Sequence, residues 1–326
     1  MIIQKEKKIK RTSDNVIICG NGPSLRTIDY DRLPTDYDVF RCNQFYFEDC
    51  YFIGKKVKAA FFTPNFLWNQ YLTTQKLIEN QEYDIEHIVT STFNNPLIEP
   101  KTLKEEISYL VDVIDGYDAF LSHYLDIDII LIRYEIFEHK RITSGVYMIL
   151  AAMACGYKNI YIAGIDFYQD DLYAFDTAKT NILSLVPNID KKEGKSDTHS
   201  LNFDMHIIQY LRDHYNLNLF SLCPTSYLSQ HIPFIFNDNC KQPGDMCNFN
   251  VEKKQGEWTK DIVLLPETVK WRIRELSGSN QEVKDSRDDI YQNIYYKLIM
   301  DLVRLPRLYK KYCKKKKKGH KNQSTN

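Results

Sequence analysis

The sequence predicts an α/β fold, a parallel sheet wound with helices on both faces. Two observations predict it. Short apolar runs alternate along the chain with helix-patterned segments, the order that builds strand–helix–strand units. The 326 residues, 43% hydrophobic and 13% aromatic, supply a core for one large domain with an appendage. No internal repeat is visible.

Val16–Cys19 (VIIC) reads as the first buried strand, Tyr37–Cys42 (YDVFRC) as the second and Val57–Phe62 (VKAAFF) as the third. HIVTSTF, from His87, and IDIILIRYEIF, from Ile127, follow as further strand-like runs. TSGVYMILAAMACG reads as a buried helix. Thr143 or Ser144 can cap its start, and Gly156 suits the left-handed position past its end. NIYIAG returns to the sheet. SLNFDMHIIQYLRDHY is a helix with apolar residues at 203, 207, 208 and 211, and NLNLFSL is the last strand. Residues 1–15 are polar and expected to fray. The pattern changes near residue 260, where a boundary is placed.

Composition excludes several classes. Forty-three basic residues balance 43 acidic ones, so no global field selects a partner. Eight cysteines are scattered without CxxC spacing, which fits reduced thiols in a cytosolic protein. The N-terminus lacks the apolar stretch of a signal peptide. No run approaches the roughly 20 apolar residues of a spanning helix.

VIICGNGPSL joins the first strand to Gly20-Asn21-Gly22-Pro23-Ser24. Glycines there let backbone approach an anionic ligand, and a following helix aims its amides at it. The dinucleotide fingerprint would want glycine at Leu25, and the P-loop would want Gly-Lys-Ser/Thr, so neither standard class applies. A plain tight turn remains the competing reading.

Taken together, GNGPSL, RLPTDYDVFRCNQFYFED, RITSGVYM and GIDFY, in that order, closely resemble the bacterial lipooligosaccharide sialyltransferases of glycosyltransferase family 42. The likeness covers roughly residues 15–230 and is densest at 16–62 and 141–177. It implies a single Rossmann-like nucleotide-binding domain, a GT-A variant, with a small lid. The catalytic domain would span 16–260, its lid about 167–198. The implied donor is CMP-sialic acid. The implied acceptor is a glycan ending in galactose or sialic acid. Transfer would invert the anomeric centre with no metal and no cofactor. Family members are often tetramers, which implies a homo-oligomer.

Breaking the sialic acid–phosphate bond builds positive charge at the anomeric carbon and negative charge on the phosphate. A base near neutral pKa must take the acceptor's proton. His199, in KSDTHSLNFD, matches the family's His-Ser pair, whose His is that base; by itself it also reads as an idle residue at a helix start. His139, His206 and His214 read as surface or packing residues. Asp126-Ile127-Asp128 fits a DxD metal motif literally, but its surroundings resemble the start of a buried strand. Without a metal, oriented hydroxyls must hold the leaving phosphate. The resemblance gives this role to Tyr168 and Tyr173; a tyrosine-rich loop in a chain with 23 tyrosines is the plainer reading.

The resemblance implies donor-binding roles for Asn21, Gly22 and Ser24 at the phosphate and for Asn43 and Gln70 near the sugar. It implies the same for Arg141, Thr143 and Ser144 at a strand–helix turn, where hydroxyls and amides suit an anion. Gly164, Asp166 and Phe167 would line the cytidine pocket. The chain departs from the family's best-known members at Thr63-Pro64-Asn65 and Ser196, which leaves acceptor and linkage open.

Beyond 260, apolar residues at 290, 291, 294, 295, 298, 299, 302 and 303 form one helical stripe, and seven lysines fall between 310 and 318. An amphipathic helix with a polybasic end reads as an anchor to anionic lipid, placing the protein in the cytoplasm on the inner membrane surface. A stripe packed on the catalytic domain and a nucleic-acid-binding tail are the alternatives. A non-catalytic nucleotide-sugar binding protein is the rival function.

Overall fold

The computed structural model describes residues 8–95, 103–167, 173–175, 198–232, 251–256 and 258–263. All lie within the first of the two units into which the chain divides, Met1–Trp271. The expected amphipathic stripe and basic tail, and the boundary's far side, lie outside the described residues.

Seven parallel strands form the sheet among the described residues. They are β1 (Asn15–Cys19), β2 (Asp38–Cys42), β3 (Lys56–Phe62), β4 (Asp84–Thr90), β5 (Val113–Asp115), β6 (Asn159–Ala163) and β7 (Asn218–Ser221). Their spatial order is β5-β4-β3-β2-β1-β6-β7. The chain therefore winds outward from β1 to β5, then returns to the other side of β1. Helices α1 (Leu67–Glu79), α2 (Leu103–Tyr109), α3 (Gly116–Ala119), α4 (Leu125–Glu138), α5 (Ser144–Ala154) and α6 (Leu201–Tyr215) connect the strands. Val16, Ile18, Phe40 and Ile162 pack with residues of α4, α5 and α6 on one face. Ala60, Phe62, Val57 and Ile88 pack with α1 and α2 on the other. Both faces being covered explains why the strands read as continuous apolar runs and not as alternation.

α6 buries Phe203, Ile207, Ile208 and Leu211, the four apolar positions expected. α5 is almost wholly buried and ends before Gly156, whose φ is +80°. Its start differs from expectation: Thr143 is the N-cap residue, but neither it nor Ser144 supplies a side-chain cap. A carboxylate from α6 does, as described below.

IDIILIRYEIF is helix, not strand. Its start alternates like a strand, but fourteen residues suit a helix, and apolar runs cannot be assigned by period alone. Asp126 accepts hydrogen bonds from Tyr210 (2.8 Å) and Tyr215 (2.7 Å), while Asp128 accepts from Tyr117 (3.0 Å). Residues two apart on a helix do not share a face, so the two carboxylates serve different neighbours. α4 buries Ile127, Asp128, Leu131 and Glu135 and leaves Leu125, Ile129, Ile132, Ile136 and Phe137 exposed. His139 ends it in a left-handed conformation, φ +53°.

The N-terminal segment is held from residue 8 onward, against the expectation of fraying to 15. Ile9 is buried, and Asp38 accepts from the backbone and hydroxyl of Thr12 and from Tyr157. A second tether comes from far along the chain. Residues 251–256 run beside 49–51: Tyr51 N donates to Glu252 O (2.9 Å) and Lys254 N to Asp49 O (3.0 Å). The Lys254 ammonium enters the core and donates to Tyr46 O at 2.9 Å, lying over the Tyr83 ring. Beside it Arg41 meets Glu48 at 2.7 Å, and Tyr83 donates to Glu48 at 2.9 Å. Arg41 is 1% exposed and Glu48 0%. Burial pulls Lys254 down to about 8, opposed by the nearby carboxylates of Glu48 and Glu82.

Candidate active site

In an open parallel sheet, ligands bind beyond the carboxyl ends of the strands, where the strand order reverses. Here that point lies between β1 and β6. Gly20 N donates to Ala163 O (2.9 Å) and Gly22 N to Gly164 O (2.8 Å), so the two strand ends run on together. The approach requires glycine: a Cβ on Gly20 would lie 2.2 Å from Gly164 O. Gly164 itself has φ +63°. Pro23–Thr27 then forms a short 3-10 helix, and Ser24 N donates to the Asp166 carboxylate at 2.8 Å. A Cβ on Gly22 would strike that same carboxylate. Asp166 therefore closes this turn.

Asn21 sits at the centre. Its Nδ2 donates to Cys42 O (2.9 Å), its carbonyl accepts from Ala174 N (2.8 Å), and its buried Oδ1 has no hydrogen-bond partner. The Ala174 bond brings Tyr173 beside the glycine turn. Tyr173 stacks on Phe175 at 5.3 Å, and Phe175 lies against Phe47. Tyr168 and Ser196, and most of the expected lid, lie outside the described residues. Phe167 is buried in the core with φ +53°, a conformation that strains a bulky side chain.

Asn43, also left-handed at φ +49°, joins three elements. Its N donates to Phe61 O, its Oδ1 accepts from Thr63 N (3.2 Å), and its Nδ2 donates to Ser144 Oγ (3.1 Å). Asn65 is exposed. Ser144 opens α5. Three residues before it, the chain meets the histidine: Arg141 and His199 form a parallel bridge. Arg141 N donates to Thr198 O at 2.6 Å, and His199 Nδ1 lies 3.1 Å from Arg141 O. A carbonyl only accepts, so Nδ1 carries the proton and the lone pair falls on Nε2. Burial lowers His199 below its ordinary 6.5; the bond to Arg141 O opposes this, and the charges of Arg141 and Lys140 add to it. Burial thus favours the uncharged ring.

The Arg141 guanidinium is gripped by buried Glu135, which also accepts from Asn95 (2.9 Å), and one guanidinium nitrogen, Nη2, is buried without a partner. Phe93 lies beneath it at 5.8 Å. Hydrogen bonds thus tie Ala174 to Asn21, Asn21 to the end of β2 at Cys42, Asn43 to Ser144, and Arg141 to His199, with short stretches of backbone joining one bond to the next. Gln70 stands apart from these, wholly buried on α1, with neither amide atom bonded. His206 and His214 are exposed and bond Tyr134 OH and Tyr210 O. Among the described residues no group of three His, Cys, Asp or Glu could hold a metal.

Sequence reasoning missed Asp204. It lies in the first turn of α6, 0% exposed, and accepts from Thr143 N at 2.9 Å. Burial pushes it up to about 7. An acid in a helix's first turn reads as serving its own helix; this one caps another, which no spacing reveals. Thr90 and Ser91, at the end of β4, were also missed: each has a buried hydroxyl without a partner.

A family model described as Alpha-2,3-sialyltransferase (CST-I) matches residues 14–316. An uncharacterised protein of Haemophilus influenzae is 34% identical over 246 residues, 74% of this chain and 99% of that one. The crystal structure of monofunctional alpha-2,3-sialyltransferase Cst-I from Campylobacter jejuni is 40% identical, with TM-score 0.74 over 84% of this chain and 97% of that. Campylobacter jejuni CstII, solved with the substrate analogue CMP-3FNeuAc, is 42% identical, with TM-score 0.71 over 81% and 99%. The sialyltransferase CST-II, solved with a trisaccharide acceptor and CMP, is 41% identical, with TM-score 0.69 over 81% and 99%. With nearly its whole length matched, the chain belongs to the CST-I alpha-2,3-sialyltransferase family and is a glycosyltransferase.

Proposed function

We propose that the protein transfers sialic acid from CMP-sialic acid to a galactose or sialic acid hydroxyl of lipooligosaccharide, with inversion and without a metal. The observation that carries the reading is that three hydrogen bonds, Asn21 to Cys42 O, Asn43 to Ser144 and His199 to Arg141 O, bring the glycine turn and His199 onto neighbouring segments at one end of the sheet. His199 Nε2 takes the acceptor's hydroxyl proton as that oxygen attacks the anomeric carbon. The bond from anomeric carbon to phosphate oxygen breaks, and CMP leaves with the electron pair. Tyr168 and Tyr173 donate to the departing phosphate, and Asn21 and the Gly22 backbone hold it; such oriented donors act strongly in a water-poor site. Arg141, Thr143, Ser144 and Asn43 fix the donor sugar's anionic end.

The test is product analysis after incubation with CMP-sialic acid and a panel of galactosides and sialosides. A sialylated product with inverted configuration is expected, formed within about a factor of two as fast in EDTA, since hydroxyls do the cation's work. Activity abolished by EDTA and restored by Mg²⁺ would remove the tyrosines from this role. No product from any acceptor, with CMP-sialic acid still bound, would favour a binding protein.

We further propose that the enzyme forms a homo-oligomer through the exposed apolar face of α4, and meets an anionic inner-membrane surface through residues 305–326. An Ile129→Asp variant with the native mass by light scattering contradicts the first. Equal sedimentation with anionic vesicles after removal of 305–326 contradicts the second.

A further inference from the structure

We propose that Asp204 is a positioning residue for the base: it fixes the register in which Arg141 O faces His199 Nδ1. This rests on the reading of His199 given above. Three bonds tie the histidine turn to the segment before α5. Arg141 N donates to Thr198 O at 2.6 Å, His199 Nδ1 bonds Arg141 O at 3.1 Å, and Thr143 N donates to Asp204 Oδ1 at 2.9 Å. The middle bond selects the tautomer with its lone pair on Nε2. The outer two flank it, one on each side of the ring along the chain, and so decide whether ring and carbonyl meet. Of these outer two, only the Asp204 bond is made by a side chain.

The local build supports this. Asp204 N donates to Ser200 O (3.0 Å), so the carboxylate rides on the first turn of α6, which begins two residues after His199. Its target, Thr143 N, begins α5, whose hydroxyls provide no cap of their own. The amide end of a helix favours an anion there. Burying a carboxylate is costly, and burial pushes Asp204 up to about 7. An apolar side chain would fill the space without that cost but would leave the Thr143 amide unbonded and the histidine turn free to slide. A shift of about 1 Å in a catalytic group is worth up to roughly 10²-fold in rate.

The experiment is a double-mutant cycle on the full chain, reading kcat, KM for CMP-sialic acid, and CMP affinity by titration. Asp204→Ala is expected to lower kcat roughly 10- to 100-fold. KM and CMP affinity should stay within about threefold, since the loss falls on the reacting geometry. Asp204→Asn keeps an accepting oxygen and should restore kcat to within about threefold of the parent. In an His199→Ala background, Asp204→Ala should change the residual rate by less than about twofold, because a residue acting through the ring has nothing left to position. Should Asp204→Ala not fold, Asp204→Ser, whose hydroxyl stops one bond short of the amide, takes its place. An undiminished kcat in the alanine or serine variant overturns the proposal. So does a loss carried by KM and CMP affinity, or an equal loss in the His199→Ala background. Failure of the base reading is seen separately, as full activity of His199→Ala alone.

Discussion

His199→Ala should reduce transfer by roughly 10²–10⁴-fold, the usual contribution of a general base, while CMP binding persists. The glycine turn is built by Gly20, Asn21, Gly22, Ser24, Gly164 and Asp166 without the ring. Removing the imidazole therefore leaves that turn in place. The same residue sets the acid side of the pH profile. A base works unprotonated, so the rate falls as pH drops through its pKa. Burial and the charges of Arg141 and Lys140 put that value below 6.5 in the free enzyme. The acid limb of kcat/KM, which reports the free enzyme, should have its midpoint below 6.5. Unchanged transfer by the alanine variant removes His199 from the mechanism. A limb centred above about 7 means that the ring is not held neutral as described.

Glu48→Ala should cost about 3–5 kcal/mol of folding stability, the penalty for breaking a buried ion pair from one side. Arg41 is 1% exposed and its guanidinium has Glu48 as its carboxylate partner, at 2.7 Å. Lys254 shares the same core, its ammonium bonded to Tyr46 O. Glu82 lies 3.9 Å from that ammonium and is partly exposed, so it does not replace Glu48 for Arg41. The variant leaves two cations enclosed with little counter-charge, and Tyr83 OH loses its acceptor. Replacing both partners at once, Arg41→Met with Glu48→Leu, should cost less than Glu48→Ala alone, because only Lys254, which keeps Glu82 at 3.9 Å, is then short of counter-charge. Urea unfolding measures both. A loss below about 1 kcal/mol for Glu48→Ala would mean that the pair is solvated in solution.

The sheet was legible because its strands are buried on both faces, so VIIC, VKAAFF and NIYIA stand out as apolar blocks between helices. α4 was misread because residues 127–137 are apolar on nearly every side, which erases the period that separates helix from strand. Its exposed Leu125, Ile129 and Ile132 belong to a face that sequence reasoning assigns to a core. Strand β5 is only three residues long and carries too little pattern to detect. In the site, the glycine turn and the Arg141–Ser144 segment were visible as motifs, since local backbone chemistry dictates them. Asp204 and Glu135 were not. Each is an acid in an ordinary helix, and each acquires its role from a partner brought near only by folding.

The strap at 251–256 has a consequence for the order in which the molecule is made. Synthesis is vectorial, and domains usually fold as units once their chain has emerged. Here the segment around Tyr46 and Asp49 receives its ammonium and its backbone pairing from Lys254, some two hundred positions downstream. A ribosome-stalled nascent chain ending before that lysine should leave Tyr51 exposed and the segment open to protease. Stalling far enough downstream for the lysine to clear the exit tunnel should protect it. Equal cleavage of the two arrested chains would show that the catalytic unit closes without its late-arriving strap.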